Sequence, residues 1–189
     1  MIGEDFAAVL TAAQHGDEDA FATLWHDGQP ALLRYLRVIA PDTADDIAAE
    51  TWVHVVRSLA RFRGDEQNWR AWLFTTARRR VIDQARQATR RPATSLEALQ
   101  DLAPAELRTL RSPDAADLAL ENLGTRTAIS FIAGLPPLQA EVIMLRVVAG
   151  LDTEMVARLL GRSPGAIRIA AHRGLQRLAG VLAEAGVTR

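Results

Sequence analysis

The most restrictive feature of the sequence is a stretch of 24 residues, NWRAWLFTTARRRVIDQARQATRR, which runs from Asn68 to Arg91. Placed on a helix at about 100° per residue, the stretch separates into two unlike faces. One face is apolar and suits burial against neighbouring helices. It contains Leu73, Phe74, Ala77, Val81 and Ala85. The stretch therefore predicts a long amphipathic helix that packs inside a helical bundle.

The opposite face of this helix combines an aromatic ring with arginines. Its positions recur at i, i+4, i+7, i+11 and i+14, and they hold Trp72, Thr76, Arg79, Asp83 and Arg86. An aromatic ring among guanidinium groups can stack on bases while the cations hold phosphates, so this face favours nucleic-acid binding. The alternative is a solvated face on which Arg79, Asp83 and Arg86 pair with one another at helical spacing.

Charge is distributed in blocks along the chain, although the net charge is only −1. Residues 1–56 carry −8, residues 57–91 carry +7, residues 92–122 carry −4, and residues 145–189 carry +4. Two basic segments separated by an acidic one are expected of a protein that contacts a polyanion at two places.

Composition excludes several classes of protein. A chain of 189 residues can bury one sizeable core or two small ones. The absence of cysteine removes disulfides, thiolate metal sites and cysteine nucleophiles, and it fits a reducing cytoplasm. No apolar run approaches the roughly 18 residues of a membrane span. The start, MIGEDFAAVL, lacks the features of a signal peptide. We therefore expect a soluble cytoplasmic protein without membrane insertion.

Apolar periodicity predicts helices before the central stretch. Residues 4–40 are expected to form helices with a break at Gly28-Gln29-Pro30, and a further helix runs from about Thr43 to Leu59. The apolar positions of that further helix are Ile47, Trp52, Val55, Val56 and Leu59, which we expect to be buried. Its outer face is acidic, with Asp42, Asp45, Asp46 and Glu50. Such a face serves either solubility or a basic partner.

Periodicity fades after Arg91, where Pro92, Pro104 and Pro113 punctuate an acidic segment. We interpret about 30 residues here as a linker, and its length favours two separate domains. A helix from about Ala119 to Ala133 opens the second domain, and Gly134-Leu135-Pro136-Pro137 ends it. The next helix extends to about Val148 and presents Leu138, Val142, Leu145 and Val148.

The segment GLDTEMVARLLGRSPGAIRIAAHRGLQRL, residues 150–178, predicts a helix-turn-helix. Asp152 caps the first helix, Gly161 makes the turn, and Ser163 caps a second helix that begins at Pro164. The inner face of the second helix holds Ile167, Ala171, Gly174, Leu175 and Leu178, and the outer face holds Arg168, Ile169, His172, Arg173 and Gln176. A second helix of this kind enters the DNA major groove. The alternative is an ordinary helical hairpin.

In this order the features resemble a bacterial sigma factor of the sigma-70 family, in the extracytoplasmic-function group. The resemblance rests on three motifs: TADDIAAETWVHVVRSLARFRG from Thr43, WRAWLFTTARRRVIDQAR from Trp69, and the segment from Leu135 to Leu178. They are similar to family region 2.2, to regions 2.3 and 2.4, and to region 4. The resemblance implies an all-α protein with a region 2-like domain (residues 1–91), an acidic linker (92–122) and a region 4-like helix-turn-helix domain (123–189).

The resemblance also implies which residues act. Binding of the clamp helices in the β′ subunit of RNA polymerase core is expected of Asp45, Asp46, Ile47, Glu50 and Trp52. Contact with the promoter −10 element is expected of Trp69, Trp72, Thr76, Arg78, Arg79, Arg80, Asp83 and Arg86. Contact with the −35 element is expected of Arg162, Ser163, Arg168, Ile169, His172, Arg173, Gln176 and Arg177. The family often has asparagine where this chain has Arg79, and often a basic residue where it has Ala170. An anti-sigma factor is a further partner class, and the sequence leaves its presence open.

Other functions fit the sequence less well. The chain has no glycine-rich phosphate loop, and its four histidines lack the spacing of metal ligands, so we expect no enzyme, no catalytic residues, no metal and no cofactor. A stand-alone helix-turn-helix regulator would explain residues 135–178 but not the stripe from Trp72 to Arg86. A helical adaptor that binds only protein would have no salt-dependent affinity for DNA.

Overall fold

The computed structural model describes residues 2–90 and 127–184, and these residues form helices joined by turns. No strand occurs within the two described ranges, which agrees with the predicted all-α class. The predicted linker and the first part of the helix expected from Ala119 lie outside the described residues. The proposed domain boundaries therefore stay a prediction.

Residues 2–90, the N-terminal unit, contain four helices. These are α1 (Phe6–Gln14), α2 (Glu18–Ile39), α3 (Ala44–Ser58) and α4 (Glu66–Arg90). Asp17 caps α2, since its side chain accepts a hydrogen bond from the backbone N–H of Ala20 at 2.9 Å. The bounds of α3 and α4 agree with the helices predicted around Thr43–Leu59 and Asn68–Arg91.

Helix α2 runs through Pro30 without interruption, so the predicted break at Gly28-Gln29-Pro30 is wrong. Tertiary packing outweighs the local helix-breaking tendency of glycine and proline. Gly28 is buried, and a Cβ built there would lie 3.0 Å from Cδ2 of Leu73 and 3.2 Å from the Trp52 ring. This glycine therefore admits α3 and α4 to close contact, and α2 is buried on one side from Leu24 to Leu36.

The core of the N-terminal unit is aromatic and aliphatic. Its largest fully buried side chains include Trp69, Tyr35 and Phe74. The rings of Tyr35 and Phe74 meet edge to face with centroids 5.3 Å apart. Helix α4 supplies the centre of this core, as its apolar face predicts.

Residues 127–184, the C-terminal unit, contain a further four helices. They are α5 (residues 127–133), α6 (Pro137–Ile143), α7 (Thr153–Leu160) and α8 (Pro164–Glu184). A π-helical turn at Met144–Val148 extends α6, and Ala149 N–H donates to the Met144 carbonyl at 2.9 Å. Val142 and Leu145 are buried as predicted, whereas Leu138 is exposed.

The two units pack against each other. Buried residues from both belong to one continuous hydrophobic cluster. Helix α2 contacts α6 and the π-helical turn, and α4 contacts α7. The packing brings the central helix of the N-terminal unit next to the helix-turn-helix of the C-terminal unit.

Candidate nucleic-acid interface

The buried face of α4 is set by the first half of the helix. Asp65 starts the helix by accepting a hydrogen bond from the Asn68 backbone N–H at 2.8 Å. Leu73, Phe74 and Ala77 are buried as the sequence predicts, but Val81 is only half-buried and Ala85 is exposed. The apolar face is therefore two turns shorter than the pattern suggests.

Two residues expected to contact DNA lie in the interior. Trp69 is 1% exposed and Thr76 is 7% exposed. Trp69 packs against Phe62 with ring centroids 5.6 Å apart, and the Thr76 hydroxyl donates to the Trp72 carbonyl at 2.9 Å. Their assignment to a DNA-contacting surface is wrong for this conformation, because neither side chain reaches solvent.

Trp72 occupies an intermediate position at the edge of the aromatic core. Its ring stacks on Phe62 with centroids 5.1 Å apart and lies 6.3 Å from His54. Trp72 is half-buried, so one part of the ring is fixed by packing while another part remains accessible. A base could stack only on that accessible part.

The arginines of α4 have different partners. Arg78 Nε lies 2.8 Å from Glu141 of α6, and Arg80 lies 3.1 Å from Glu50 of α3. Arg86 lies 3.6 Å from Asp83, both exposed, as the solvated-face alternative predicts. Arg79 is exposed and makes no ion pair with another described residue. Arg79 is thus available to a phosphate without the loss of an ion pair.

The helix-turn-helix forms as predicted. The Asp152 side chain accepts from Met155 N–H at 2.6 Å and caps α7. Gly161 ends α7 in the left-handed region (φ 63°), and Arg162 N–H bonds back to the Ala157 carbonyl at 2.9 Å. The Ser163 hydroxyl accepts from Ala166 N–H at 3.2 Å and caps α8, whose first residue is Pro164.

The outer face of α8 is exposed and basic. All of the residues expected at the −35 element are accessible, and they are Arg162, Ser163, Arg168, Ile169, His172, Arg173, Gln176 and Arg177. Arg168 lies 3.3 Å from Glu154 of α7, and Arg177 donates to Gln139 at 3.0 Å. Both contacts are at the surface, so DNA phosphates can compete for these arginines.

One residue of α8 differs from its predicted position, and another lies inside. Ala170, which stands where the family often has a basic residue, is buried at 6% exposure, so no side chain at this position faces DNA here. Leu175, expected on the inner face, is 52% exposed. Ile167 and Gly174 do lie inside, and Gly174 approaches Ile143 of α6 closely.

The acidic face of α3 is exposed at Asp45, Asp46 and Glu50. Ile47 and Trp52 are buried, and Trp52 Nε1 donates to Gln29 at 2.6 Å. These two residues therefore hold α3 in place, and their expected direct contact with a partner is wrong for this conformation.

The sequence analysis missed two exposed apolar residues on α3. Val53 and Val56 are both exposed, although Val56 was expected inside. Val53 stands seven residues after Asp46, a spacing that places both on one helix face. The spacing from Asp46 could have identified Val53 as part of the outer face of α3.

Other kinds of site are not evident in the described ranges. No cluster of histidine, aspartate and glutamate there could hold a metal ion. No helix of the described residues is long and apolar enough to cross a membrane.

Two family models match the chain. The model described as Sigma-70 region 2 matches residues 24–91, and the model described as Sigma-70, region 4 matches residues 126–178. The first runs from within α2 through α4, and the second covers the C-terminal unit as far as Leu178 in α8.

Curated relatives match almost the whole chain. The ECF RNA polymerase sigma factor SigD of Mycobacterium tuberculosis is 32% identical over 192 residues, which cover 98% of this chain and 88% of the relative. The ECF RNA polymerase sigma factor ShbA of Streptomyces griseus is 34% identical over 185 residues, which cover 90% and 92%.

Two solved structures share the fold. CnrH, in complex with the cytosolic domain of CnrY, has a TM-score of 0.60 at 21% identity and covers 96% of this chain and 99% of that one. The sigma factor RpoE of Bartonella quintana, in complex with the anti-sigma factor NepR, has a TM-score of 0.57 at 23% identity, with coverage of 89% and 98%. With both sigma-70 regions matched in order and relatives covering nearly its full length, the chain belongs to the extracytoplasmic-function group of sigma-70 family RNA polymerase sigma factors.

Proposed function

We propose that this chain is a transcription initiation factor that binds bacterial RNA polymerase core and directs it to specific promoters. The observation that carries the proposal is the exposed basic face of α8 on a capped helix-turn-helix, in a chain of this family. The proposed role is binding and positioning, so it requires no catalytic side chain, metal or cofactor. The chain would act in the cytoplasm, where the polymerase is.

The C-terminal unit is proposed to recognise the −35 element. A helix of this kind lies in the major groove, where arginine can bond to guanine or hold phosphate and isoleucine can contact a thymine methyl group. Arg168, Ile169 and Arg173 are exposed on the same face and are the proposed contacts with base edges or phosphates. Arg162, Ser163, His172, Gln176 and Arg177 would flank them at the groove walls.

The N-terminal unit is proposed to recognise and open the −10 element. Arg78, Arg79, Arg80 and Arg86 would hold the backbone, and the accessible part of Trp72 would stack on an exposed base. Asp83, which lies beside Arg86, would orient it. Trp69 and Thr76 would support this surface from the interior.

The outer face of α3 is proposed to bind the β′ clamp helices of the polymerase. Asp45, Asp46 and Glu50 give it negative charge, and Val53 adds an exposed apolar contact beside them. Complementary charge sets orientation and association rate, while desolvation of an apolar side chain adds affinity.

The test is in vitro transcription with bacterial core polymerase on a genomic promoter library. The wild-type chain should yield transcripts whose promoters share a −10 and a −35 motif. A double variant, Arg168→Ala with Arg173→Ala, should lose most of them. Arg34→Ala with Arg37→Ala is the matched control, because both arginines are exposed on α2 and lie outside the proposed surfaces.

A stand-alone regulator would give a different result. It would protect duplex DNA from nuclease without polymerase, and added core enzyme would yield no new transcripts. That outcome would overturn the proposal.

A further inference from the structure

A single carboxylate joins the two units of the chain. Oε1 of Glu141, in α6, accepts hydrogen bonds from Arg78 Nε of α4 at 2.8 Å and from the Tyr35 hydroxyl of α2 at 3.0 Å. Tyr35 is fully buried, and the side chains of Arg78 and Glu141 are 27% and 16% exposed. The contact therefore engages the guanidinium of an arginine of the proposed −10 surface.

We propose that Glu141 is an autoinhibitory latch: its carboxylate occupies Arg78 in place of a DNA phosphate and holds the C-terminal unit against α4 at this position. The inference rests on the proposed function, because it assumes that Arg78 contacts promoter DNA. Glu141 is the only acid between residues 123 and 144, so the latch depends on one side chain in that segment.

Helix α7 covers the same part of α4. A groove of about 300 Å³ lies between them, lined by Ala71, Thr75, Arg78, Arg79, Met155, Arg158 and Leu159. A DNA phosphate must displace Glu141 to take over its hydrogen bond with Arg78 Nε.

The charge around this groove favours separation once the latch is released. Among the described lining residues, three are arginines and none is an acid. Arg78 and Arg79 stand on α4 and Arg158 stands on α7, so like charges face each other across the groove. Glu141 is the acid that offsets this repulsion at Arg78.

Tyr35 makes the latch persistent at neutral pH. Burial raises the pKa of its hydroxyl well above the ordinary value, and the neighbouring Glu141 carboxylate adds to this effect. The hydroxyl is a donor to Glu141 at neutral pH. Release then requires a competitor for Arg78 or a partner that pulls the units apart.

The latch engages one arginine of the proposed −10 surface and leaves the −35 surface unengaged. Arg168, Ile169 and Arg173 on α8 are exposed in the same conformation in which Arg78 is paired with Glu141. The latched chain should therefore bind a −35 duplex but bind −10 DNA poorly.

The first measurement detects opening of the full chain. Because the chain has no cysteine, Ala7→Cys with Ala179→Cys gives two unique labelling sites, both exposed, on α1 and α8. Double electron–electron resonance should give one narrow distance distribution in the wild-type background. Glu141→Gln should broaden and lengthen the distribution, and Tyr35→Phe should do so to a smaller extent. Glu4→Gln, an exposed acid of the N-terminal unit, is the charge-matched control and should change nothing.

The second measurement detects the effect on DNA. Fluorescence anisotropy without polymerase would use a single-stranded non-template −10 oligonucleotide and a −35 duplex from a promoter recovered in the transcription screen. Glu141→Gln should tighten binding to the −10 strand about fivefold or more and leave the −35 affinity within about twofold. Circular dichroism at each condition tests whether the variants are folded. If Glu141→Gln does not fold, Tyr35→Phe replaces it as the variant that weakens the latch.

The outcomes separate the latch from the proposed function. Unchanged label distances in both folded variants would overturn the latch. Equal tightening on both DNA probes would also overturn it, because that result reflects only the removal of a negative charge. If the wild-type chain directs transcription but opening leaves −10 binding unchanged, the latch is wrong and the proposed function stands. If neither the wild-type chain nor any variant directs transcription with core enzyme, the proposed function fails, and the autoinhibitory role fails with it.

Discussion

Trp72 of α4 stacks on Phe62, with ring planes 27° apart and centroids separated by 5.1 Å. Phe62 also meets Trp69 edge to face, so the three rings form one cluster at the start of the helix. The arrangement lets Trp72 close the core and, under the proposed function, offer its accessible part to a base.

Trp72→Ala should affect both roles. The free energy of unfolding should fall by about 1–3 kcal/mol, less than the roughly 3–5 kcal/mol typical of a fully buried tryptophan, because the ring is half-buried. Permanganate reactivity of −10 thymines should fall more than closed-complex binding does, since a stacked base is worth about 1–3 kcal/mol. Trp72→Phe, which keeps a ring, should retain most of both properties. A folded Trp72→Ala chain that still opens promoters normally would assign the ring to the core alone.

Charge reversal on α3 should weaken core polymerase binding without unfolding the chain. Asp46→Arg with Glu50→Arg replaces two exposed acids, and the loss should appear mainly in the association rate at low salt. Glu50 also pairs with Arg80 at 3.1 Å, so Arg80→Gln is the control for loss of that pair. The measurement is surface plasmon resonance with immobilised core enzyme, beside circular dichroism. Equal rates for the reversed and wild-type chains would remove α3 from the polymerase interface.

Single substitutions on α8 should separate base contacts from phosphate contacts. Arg168→Ala or Arg173→Ala should cost about 1–3 kcal/mol with relaxed preference at one base pair if the residue bonds to guanine. A phosphate contact should instead weaken all sequences alike and reduce the salt slope by about one. Thermal stability should hardly change, because the exposed pair of Arg168 and Glu154 is worth about 0–1 kcal/mol. Arg34→Ala provides the control. If neither Arg168→Ala nor Arg173→Ala lowers the affinity for DNA, α8 belongs to an ordinary helical hairpin.

Glycine to alanine should have opposite effects at two positions within helices. At Gly28 a Cβ would press on Leu73 and Trp52, so overpacking of about 1–3 kcal/mol should outweigh a helix-propensity gain of at most about 1 kcal/mol. At Gly180 nothing lies within 4 Å, so the substitution should stabilise by about 0.5–1 kcal/mol. Urea unfolding of the two variants measures the difference. A stabilised Gly28→Ala chain would mean that α2 does not pack this closely on α3 and α4.

Alkaline pH should destabilise the wild-type chain through one residue. Tyr35 is the only tyrosine, and the chain has neither lysine nor cysteine. No other side chain is therefore expected to titrate between about pH 9 and 12. The native structure raises the pKa of Tyr35, so the unfolded chain loses its proton first, near pH 10, and stability must fall as the pH rises above that value. Tyr35→Phe should be less stable at pH 8 but should lose no further stability from pH 9 to 11. Parallel pH profiles for the two chains would show that Tyr35 is not buried against Glu141.

The capped and periodic elements were predictable from sequence because each signal is local. Gly161 ends α7 with positive φ, and Ser163 and Pro164 begin α8, since these requirements are met by the residues themselves. The buried positions Leu73, Phe74 and Ala77 also follow from spacing alone. Prediction failed at Pro30 and Gly28, where contact with Trp52 and Leu73 keeps α2 continuous against its local preference.

The faces of helices were predicted less well at their edges. Thr76 and Leu175 lie near the boundary between arcs, and the neighbours that cover or expose them come from distant parts of the chain. A helical wheel gives the angle of a residue around its own axis but not the position of the adjacent helix. Burial of Trp69 beneath Phe62 and exposure of Val56 depend on where the neighbouring elements lie.

The sequence by itself determined the helical class, the helix-turn-helix, the segregation of charge and the family, because these follow from residue type and spacing within short segments. Only the tertiary structure decided which candidate residues are accessible and that Glu141 meets Arg78 and Tyr35, residues 63 and 106 positions away. That contact requires α6 to lie against α2 and α4 at once. Such an arrangement is fixed by the shape and burial of the whole interface, which no local pattern encodes.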